Sequence, residues 1–130
     1  MPPEIVWLLD ETLTAIHHRQ IAEHGGSEGL RDEGLLLSAL ARPQNLLAYG
    51  EPAPDLGSLA AAYAYGIARN HPFVDGNKRT ALVAARTFLI LNVVDLEATQ
   101  DDKVLTFLNL AEGTISEEQL ADWIRKRIHL

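Results

Sequence analysis

RNHPFVDGNKRT, residues 69–80, stands between two long Ala- and Leu-rich runs. Pro72 disfavours helical geometry at His71 and removes a backbone donor, so the helix before it should end about Asn70. Gly76 permits a sharp bend or a positive φ, and a second helix should begin between Asp75 and Asn77. The stretch therefore reads as a tight turn between two core helices. Pro72 and Gly76 suffice for a turn. His71, Asp75, Asn77, Lys78 and Arg79 are surplus to that purpose, and their chemistry has to be explained.

The flanking runs extend the helical pattern in both directions. Residues 58–69, SLAAAYAYGIAR, follow a Ser58 cap and are Ala-rich enough for neighbouring helices to approach closely. Residues 77–91 place Ala81, Leu82, Ala85, Phe88 and Leu89 on one face and stop at Asn92. Upstream, residues 10–24 form a first helix with Asp10 as cap and Gly25-Gly26 as stop. Residues 32–41 form a second, capped by Asp32 and halted by Pro43. Between 43 and 57 the density of Pro and Gly predicts an irregular segment, with Leu46, Leu47 and Tyr49 in a small hairpin or flap.

Downstream, residues 101–112 start at an acidic cap and end at Gly113. Ser116 with Gln119 makes a capping box for a last helix running through Leu120, Ile124 and Ile128. Strands can only be short, with Ile5 to Leu8 and residues 44–50 as candidates. The expected fold is all-α: one compact domain over residues 1–130, a bundle of about six helices with a short flap or hairpin before the motif helix pair.

Composition narrows the function. Eighteen acidic residues against 11 Lys plus Arg give a formal charge of -7, which argues against broad contact with nucleic-acid phosphates. The absence of cysteine removes disulfides and thiolate zinc sites and suits a reducing compartment, with the cytoplasm as default. No apolar run approaches the ~18 to 20 residues of a membrane span, and MPPEIVWLLDE lacks the basic and long apolar regions of a signal peptide. No membrane or direct nucleic-acid partner is expected. Arg69, Lys78 and Arg79 nevertheless make a positive patch on a negative body, which suits a small polyphosphate.

The surplus residues fit that ligand. A helix beginning after Gly76 leaves its first N–H groups unpaired, and these converge on an anion with the helix dipole behind them. Lys78 and Arg79 in that first turn oppose the dipole, and a bound anion removes the objection. Asp75 can hold a magnesium ion that itself binds phosphate oxygens. His71, with an ordinary pKa of ~6.5, can accept a proton from an attacking hydroxyl. Asn77 and Arg79 can bind the charged equatorial oxygens during transfer. Phe73 should point inward and anchor the loop.

Other features read as structure. His17 and His18 point to different helix faces and, with His24, lack the ligand cluster of a zinc site; they read as surface histidines. Trp7 and Trp123 are packing residues, and Arg125, Lys126 and Arg127 complement the dipole of the last helix. Asp32 is a helix cap with Arg31 as an ion-pair partner.

HPFVDGNKR resembles the Fic/Doc signature, a His-x-Phe-x-acid-Gly-Asn core followed by Arg between two helices. GGSEGLRDEGLLLSALARPQN, residues 25–45, and the Ala-rich helix before the motif resemble the death-on-curing, or Doc, branch. Fic adenylyltransferases usually have Gly at the place of Lys78 and a second Arg at the place of Leu82; the Doc branch shares both departures. The resemblance implies a toxin kinase that passes the γ-phosphate of ATP, with Mg2+, to a Thr or Ser hydroxyl of a translation factor, elongation factor Tu. It makes His71 the base, Asp75 the metal-linked acid, and Gly76, Asn77, Lys78 and Arg79 the phosphate cradle, with Arg79 also catalytic.

Adenylyl transfer to a protein hydroxyl is the alternative, and a catalytically silent helical binding module the second. The inhibitory Ser/Thr-x-x-x-Glu-Gly/Asn pattern of many Fic proteins is missing: Glu112-Gly113 is preceded by Leu108, and Glu28-Gly29 by His24. The resemblance thus implies inhibition in trans by a Phd-type antitoxin. It also assigns residues 43–57, by position, to the flap that aligns a target segment by strand addition.

Overall fold

The computed structural model describes residues 4–129 as six helices: α1 (Asp10–His24), α2 (Glu33–Tyr49), α3 (Leu56–Asn70), α4 (Asn77–Leu91), α5 (Gln100–Ala111) and α6 (Glu117–Arg125). The all-α expectation holds. The described residues contain no sheet, only two isolated antiparallel bridges, Leu30 with Phe73 and Leu96 with Ile128. No described helix is long and apolar enough to cross a membrane.

The bundle is organised around α3, which packs against α2, α4 and α6. Small side chains make this possible. Ala60, Ala61, Ala62, Ala64 and Ala68 are buried, and two glycines allow the closest approaches. A Cβ at Gly66 would sit 3.1 Å from Ala39 Cα, and one at Gly57 3.2 Å from the Ala121 carbonyl oxygen. Tyr63, Phe88, Phe107, Leu120 and Ile124 fill the spaces between helices. The Tyr63 hydroxyl accepts from the backbone of Leu8 at 3.0 Å, tying down the N-terminal segment.

The turn-flanking helices run over Leu56–Asn70 and Asn77–Leu91, with Asn92 as the C-cap of α4. Other boundaries differ from expectation. Pro43 does not halt α2, which continues to Tyr49. A proline inside a helix costs about 3 kcal/mol, and packing on α3 offsets it: Pro43 is fully buried in line with Leu36, Ala39 and Leu40, and Leu46 packs against the core one turn later. Arg42 anchors the same stretch by an ion pair to Glu117 and by lying 4.6 Å over the Tyr65 ring.

The expected flap or hairpin at 43–57 is therefore absent. Residues 43–49 are helix, 50–55 are a short connection, and the strand candidate at 44–50 falls with it. Ile5 to Leu8 is not a strand either; Val6 is paired instead by the Asn92 side chain, which accepts from its N–H and donates to its carbonyl, both at 2.9 Å.

Caps shift by a few residues. Leu9 rather than Asp10 precedes α1, Asp55 rather than Ser58 caps α3, and Thr99 caps α5 before the acids that were expected to do so. The Ser116–Gln119 capping box is present, but α6 ends at Arg125 and Ile128 lies in the bridge to Leu96. Arg125 leaves the helix end for Asp55 and Asp122, and Arg127 stacks 4.5 Å from the Trp123 ring. Trp7 and Trp123 pack against the core.

Asp55 joins the start of α3 to the end of α6, since it caps Ser58 N–H at 2.9 Å and takes Arg125 Nε on its other oxygen at 2.5 Å. The guanidinium holds its carboxyl down at about 2. A depressed folded-state value means a stabilisation complete above the ordinary carboxylate value of ~4 and lost as pH falls through ~2. Asp55→Ala is expected to cost about 1 kcal/mol at pH 7 through the lost cap, the half-exposed ion pair adding little. The gap to wild type should close as pH falls from about 4 through 2. Urea unfolding across that range reads both effects, and equal stabilities at pH 7 would refute the role of the cap.

Candidate functional site

The turn between α3 and α4 is built from its own side chains. α3 ends with His71 in the left-handed region, φ 50°. Pro72 and Phe73 turn inward and are buried, Phe73 being 2% exposed. Asn77 then folds its amide back onto Phe73: Oδ1 accepts from the Phe73 N–H at 3.1 Å, and Nδ2 donates to its carbonyl at 3.0 Å. Both backbone groups are buried, and this one side chain satisfies them. Gly76 sits at φ 77°, so the chain enters α4 from the left-handed region.

The head of α4 is consequently open. Its first backbone bond runs from Thr80 N–H to the Gly76 carbonyl at 3.0 Å, which leaves the amides of Asn77, Lys78 and Arg79 ahead of the ladder. No side chain caps them and no acid stands in the first turn. Two exposed cations, Lys78 and Arg79, stand there instead, where the dipole repels them. Such an arrangement favours a bound anion.

Two further elements complete the surroundings. The segment 25–32 lies along the turn: Val74 N–H bonds Gly29 O at 3.0 Å, and Arg31 N–H bonds Pro72 O at 2.7 Å. Gly26 lets it come close, for a Cβ there would lie 2.8 Å from Asp75 Oδ2. The Arg31 side chain does not pair with Asp32. It donates to the carbonyls of His71 at 2.6 Å and Asn70 at 2.7 Å, placing a cation at the C-terminal end of α3. Asp32 caps α2 as expected, accepting from Leu35.

The other element is α1, where expectation and structure part. His17 is not a surface residue. It is 4% exposed, lies flat on Phe73 with ring centroids 3.8 Å apart, and is 2.7 Å from the Asp75 carbonyl through Nε2, which must carry the proton. His18, by contrast, is exposed and pairs with Glu28 at 2.6 Å. The inward stripe of α1 is Leu13, His17, Gln20 and Ile21. Its polar members, at 17 and 20, were legible as a helical pair, but an apolar count over Leu13, Ile16 and Ile21 passes over them.

Asp75 presents a carboxylate with one partner on each oxygen: its neighbour's amide, Gly76 N–H, at 2.8 Å and Ser27 N–H at 3.2 Å. Each oxygen keeps lone-pair capacity. No group of three or more metal-ligating side chains occurs among the described residues. A lone carboxylate offers a hard cation at most its two oxygens and cannot form a protein cage.

His71, Asp75, Gly76, Asn77, Lys78 and Arg79, the six positions singled out in the sequence, line one cavity of about 410 Å³. Its opposite wall is Gln20, Ile21, His24 and Gly25 of the α1 end, which the sequence did not mark. Asn77 reaches the cavity as backbone, because its amide is committed to Phe73. Leu82, one turn further along α4, is 8% exposed and packs away from this cavity beside Val104 and Phe107.

A helical domain that bares the head of one core helix behind a His-Pro-Phe turn, with an acid and two cations at its mouth, has the architecture of the Fic type. The Fic/DOC family model matches residues 7–89, and the chain belongs to that family, in its death-on-curing branch. It is 38% identical over 116 residues to "Protein kinase doc" of Escherichia phage P1, covering 89% of this chain and 90% of that one. It is 54% identical over 78 residues to "Toxin Doc" of Mycolicibacterium smegmatis, covering 59% of each chain.

The Asn77 contact predicts a specific weakness. Asn77→Ala leaves the buried N–H and carbonyl of Phe73 without partners and is expected to lower the unfolding free energy by about 2 kcal/mol. Lys78→Ala, at an exposed position in the same turn, should change it by less than about 0.5 kcal/mol. Chemical denaturation of the two variants makes the comparison, and equal losses would contradict the role given to Asn77.

Proposed function

We propose that this chain is a Doc-type toxin: a protein kinase that transfers the γ-phosphate of ATP to a Thr or Ser hydroxyl of a translation factor and is restrained by an antitoxin. Elongation factor Tu is the proposed acceptor and a Phd-type protein the proposed antitoxin. The observation that carries the reading is the pair Lys78 and Leu82 within an otherwise intact motif. Position 82 supplies no second arginine, and its leucine is turned into packing with α5, so the cations at the α4 head are those of one turn, Lys78 and Arg79. The 38% identity to a relative named as a protein kinase supports the same choice over adenylyl transfer.

The residues divide the work in a way that phosphoryl chemistry requires. The amides of Asn77, Lys78 and Arg79, with the two side-chain cations, hold the phosphate oxygens and balance the charge that develops on them. His71 follows the last turn of α3, its carbonyl held by Arg31 and its exposed imidazole at the cavity edge, where it accepts the proton of the attacking hydroxyl. Asp75 would hold Mg2+, which when bound would neutralise phosphate charge. His17 and Ser27 act through Asp75, fixing its backbone and carboxylate respectively.

Incubation with elongation factor Tu and ATP labelled at either the γ or the α position tests the proposal. Label from the γ position is expected on the factor, and His71→Ala should reduce it at least about a hundredfold. Label from the α position alone would replace phosphoryl by adenylyl transfer. Transfer to neither position, together with equally harmless expression of wild type and His71→Ala without an antitoxin, would leave a silent binding module.

A further inference from the structure

We infer that Gln20 of α1 is a ligand-binding residue of the cavity, its side-chain amide donating to a phosphate oxygen of the bound nucleotide. The inference rests on the proposed nucleotide chemistry and adds a second wall to it.

Three neighbours fix where Gln20 stands. One turn before it, His17 lies on Phe73 and reaches the Asp75 carbonyl. Next to it, Ile21 covers the turn closely enough that a Cβ at Gly76 would meet its Cδ1 at 3.0 Å. One turn after it, His24 lines the cavity mouth. Gln20 shares this face, is only 9% exposed, and lines the same cavity as Lys78 and Arg79.

An amide there has no structural purpose. No hydrogen bond links the Gln20 side chain to a described residue, and its amide is not sealed from water: the buried side-chain atom without a partner among the described residues is Thr80 Oγ1, whereas Gln20 lines the cavity with its polar group free to take a ligand. Packing alone would be served as well by methionine, which has nearly the same length and no polar group to satisfy. The opposite wall explains the choice. It offers the amides of the α4 head and two cations, and its one anion, Asp75, already accepts from two backbone amides. Apart from Asp75 and His71, the polar groups at the head of α4 are donors and cations that take acceptor oxygens, and a polyphosphate brings many. Gln20 adds a donor from the α1 side, so that the phosphates are held between two helices instead of at the end of one.

Titration calorimetry with ATP and with inorganic tripolyphosphate, each with magnesium, on wild type, Gln20→Met and Gln20→Glu, tests this. Gln20→Met is expected to weaken binding of both probes about tenfold, the value of a hydrogen bond to a charged group. Gln20→Glu, facing the phosphates with a carboxylate, should weaken it further. The thermal midpoint of ligand-free Gln20→Met should equal or exceed that of wild type, which a structural role for the amide would not allow. Wild-type affinity in Gln20→Met overturns the inference even if Gln20→Glu is weak, because a carboxylate anywhere in the cavity repels phosphate. A lower midpoint in Gln20→Met with unchanged affinity overturns it in favour of packing. If wild type binds neither probe, the nucleotide reading falls and this inference with it; binding by wild type and both variants alike removes only the role of Gln20.

Discussion

The hydrogen-bonded return of Asn77 onto Phe73 is the constraint from which the site follows. A chain that leaves one core helix and enters the next within a few residues must bury part of its backbone in the turn, and buried N–H and carbonyl groups need partners. In most turns the backbone supplies them. Here a single side chain supplies both, at 3.1 and 3.0 Å, and does so from the first residue of α4. That solution frees the helix head. With the Asn77 amide directed inward and Gly76 in the left-handed region, nothing caps α4, and its leading amides face outward into the cavity. The stability of the turn and the openness of the site have one cause.

Phe73 transmits this local geometry to the rest of the molecule. Its ring is stacked beneath His17 of α1 and belongs to the core that α3 organises. His17 in turn reaches the Asp75 carbonyl, and Ser27, in the segment that follows α1, reaches the Asp75 carboxylate. The acid is therefore held at its backbone by one element and at its side chain by another. A rigid Ala-rich helix behind the turn, with neighbours at glycine-limited distances, supplies the platform on which such fixed positions are possible.

Local chemistry was legible in the sequence, and long-range compensation was not. Pro72 and Gly76 act through their own φ angles, so the end of α3 at Asn70 and the start of α4 at Asn77 follow from residue type. Pro43 obeys the same local rule and yet lies inside α2, because its ring packs on α3 and Arg42 beside it holds Glu117 and Tyr65, all distant in the chain. The hairpin expected at 43–57 was a consequence of that one error. The α1 wall was hidden for a different reason. Leu13 and Ile21 mark an ordinary core stripe, whereas His17 is on the same stripe for Asp75, 58 residues away in the sequence, and Gln20 beside it lines the cavity. Polar residues at helical spacing between apolar ones are the signal, and it is readable only when such a stripe is treated as facing a site.

Charge decides what kind of anion the head of α4 can take. The chain carries -7 overall, so its long-range field repels an extended polyanion such as nucleic acid. Within a Debye length of about 8 Å in physiological salt, however, a ligand at the turn meets Lys78, Arg79 and the helix end before it meets the remainder of the acidic surface. A short, dense polyphosphate fits inside that range and a duplex does not. The single carboxylate in the cavity sharpens the same preference. Asp75 would repel a bare phosphate, but both its oxygens keep lone pairs for a cation, so under the proposed function it would favour phosphate that arrives with a metal. Net charge, helix end and lone acid are each consistent with the proposed metal-bound polyphosphate, and none of the three points to it without the others.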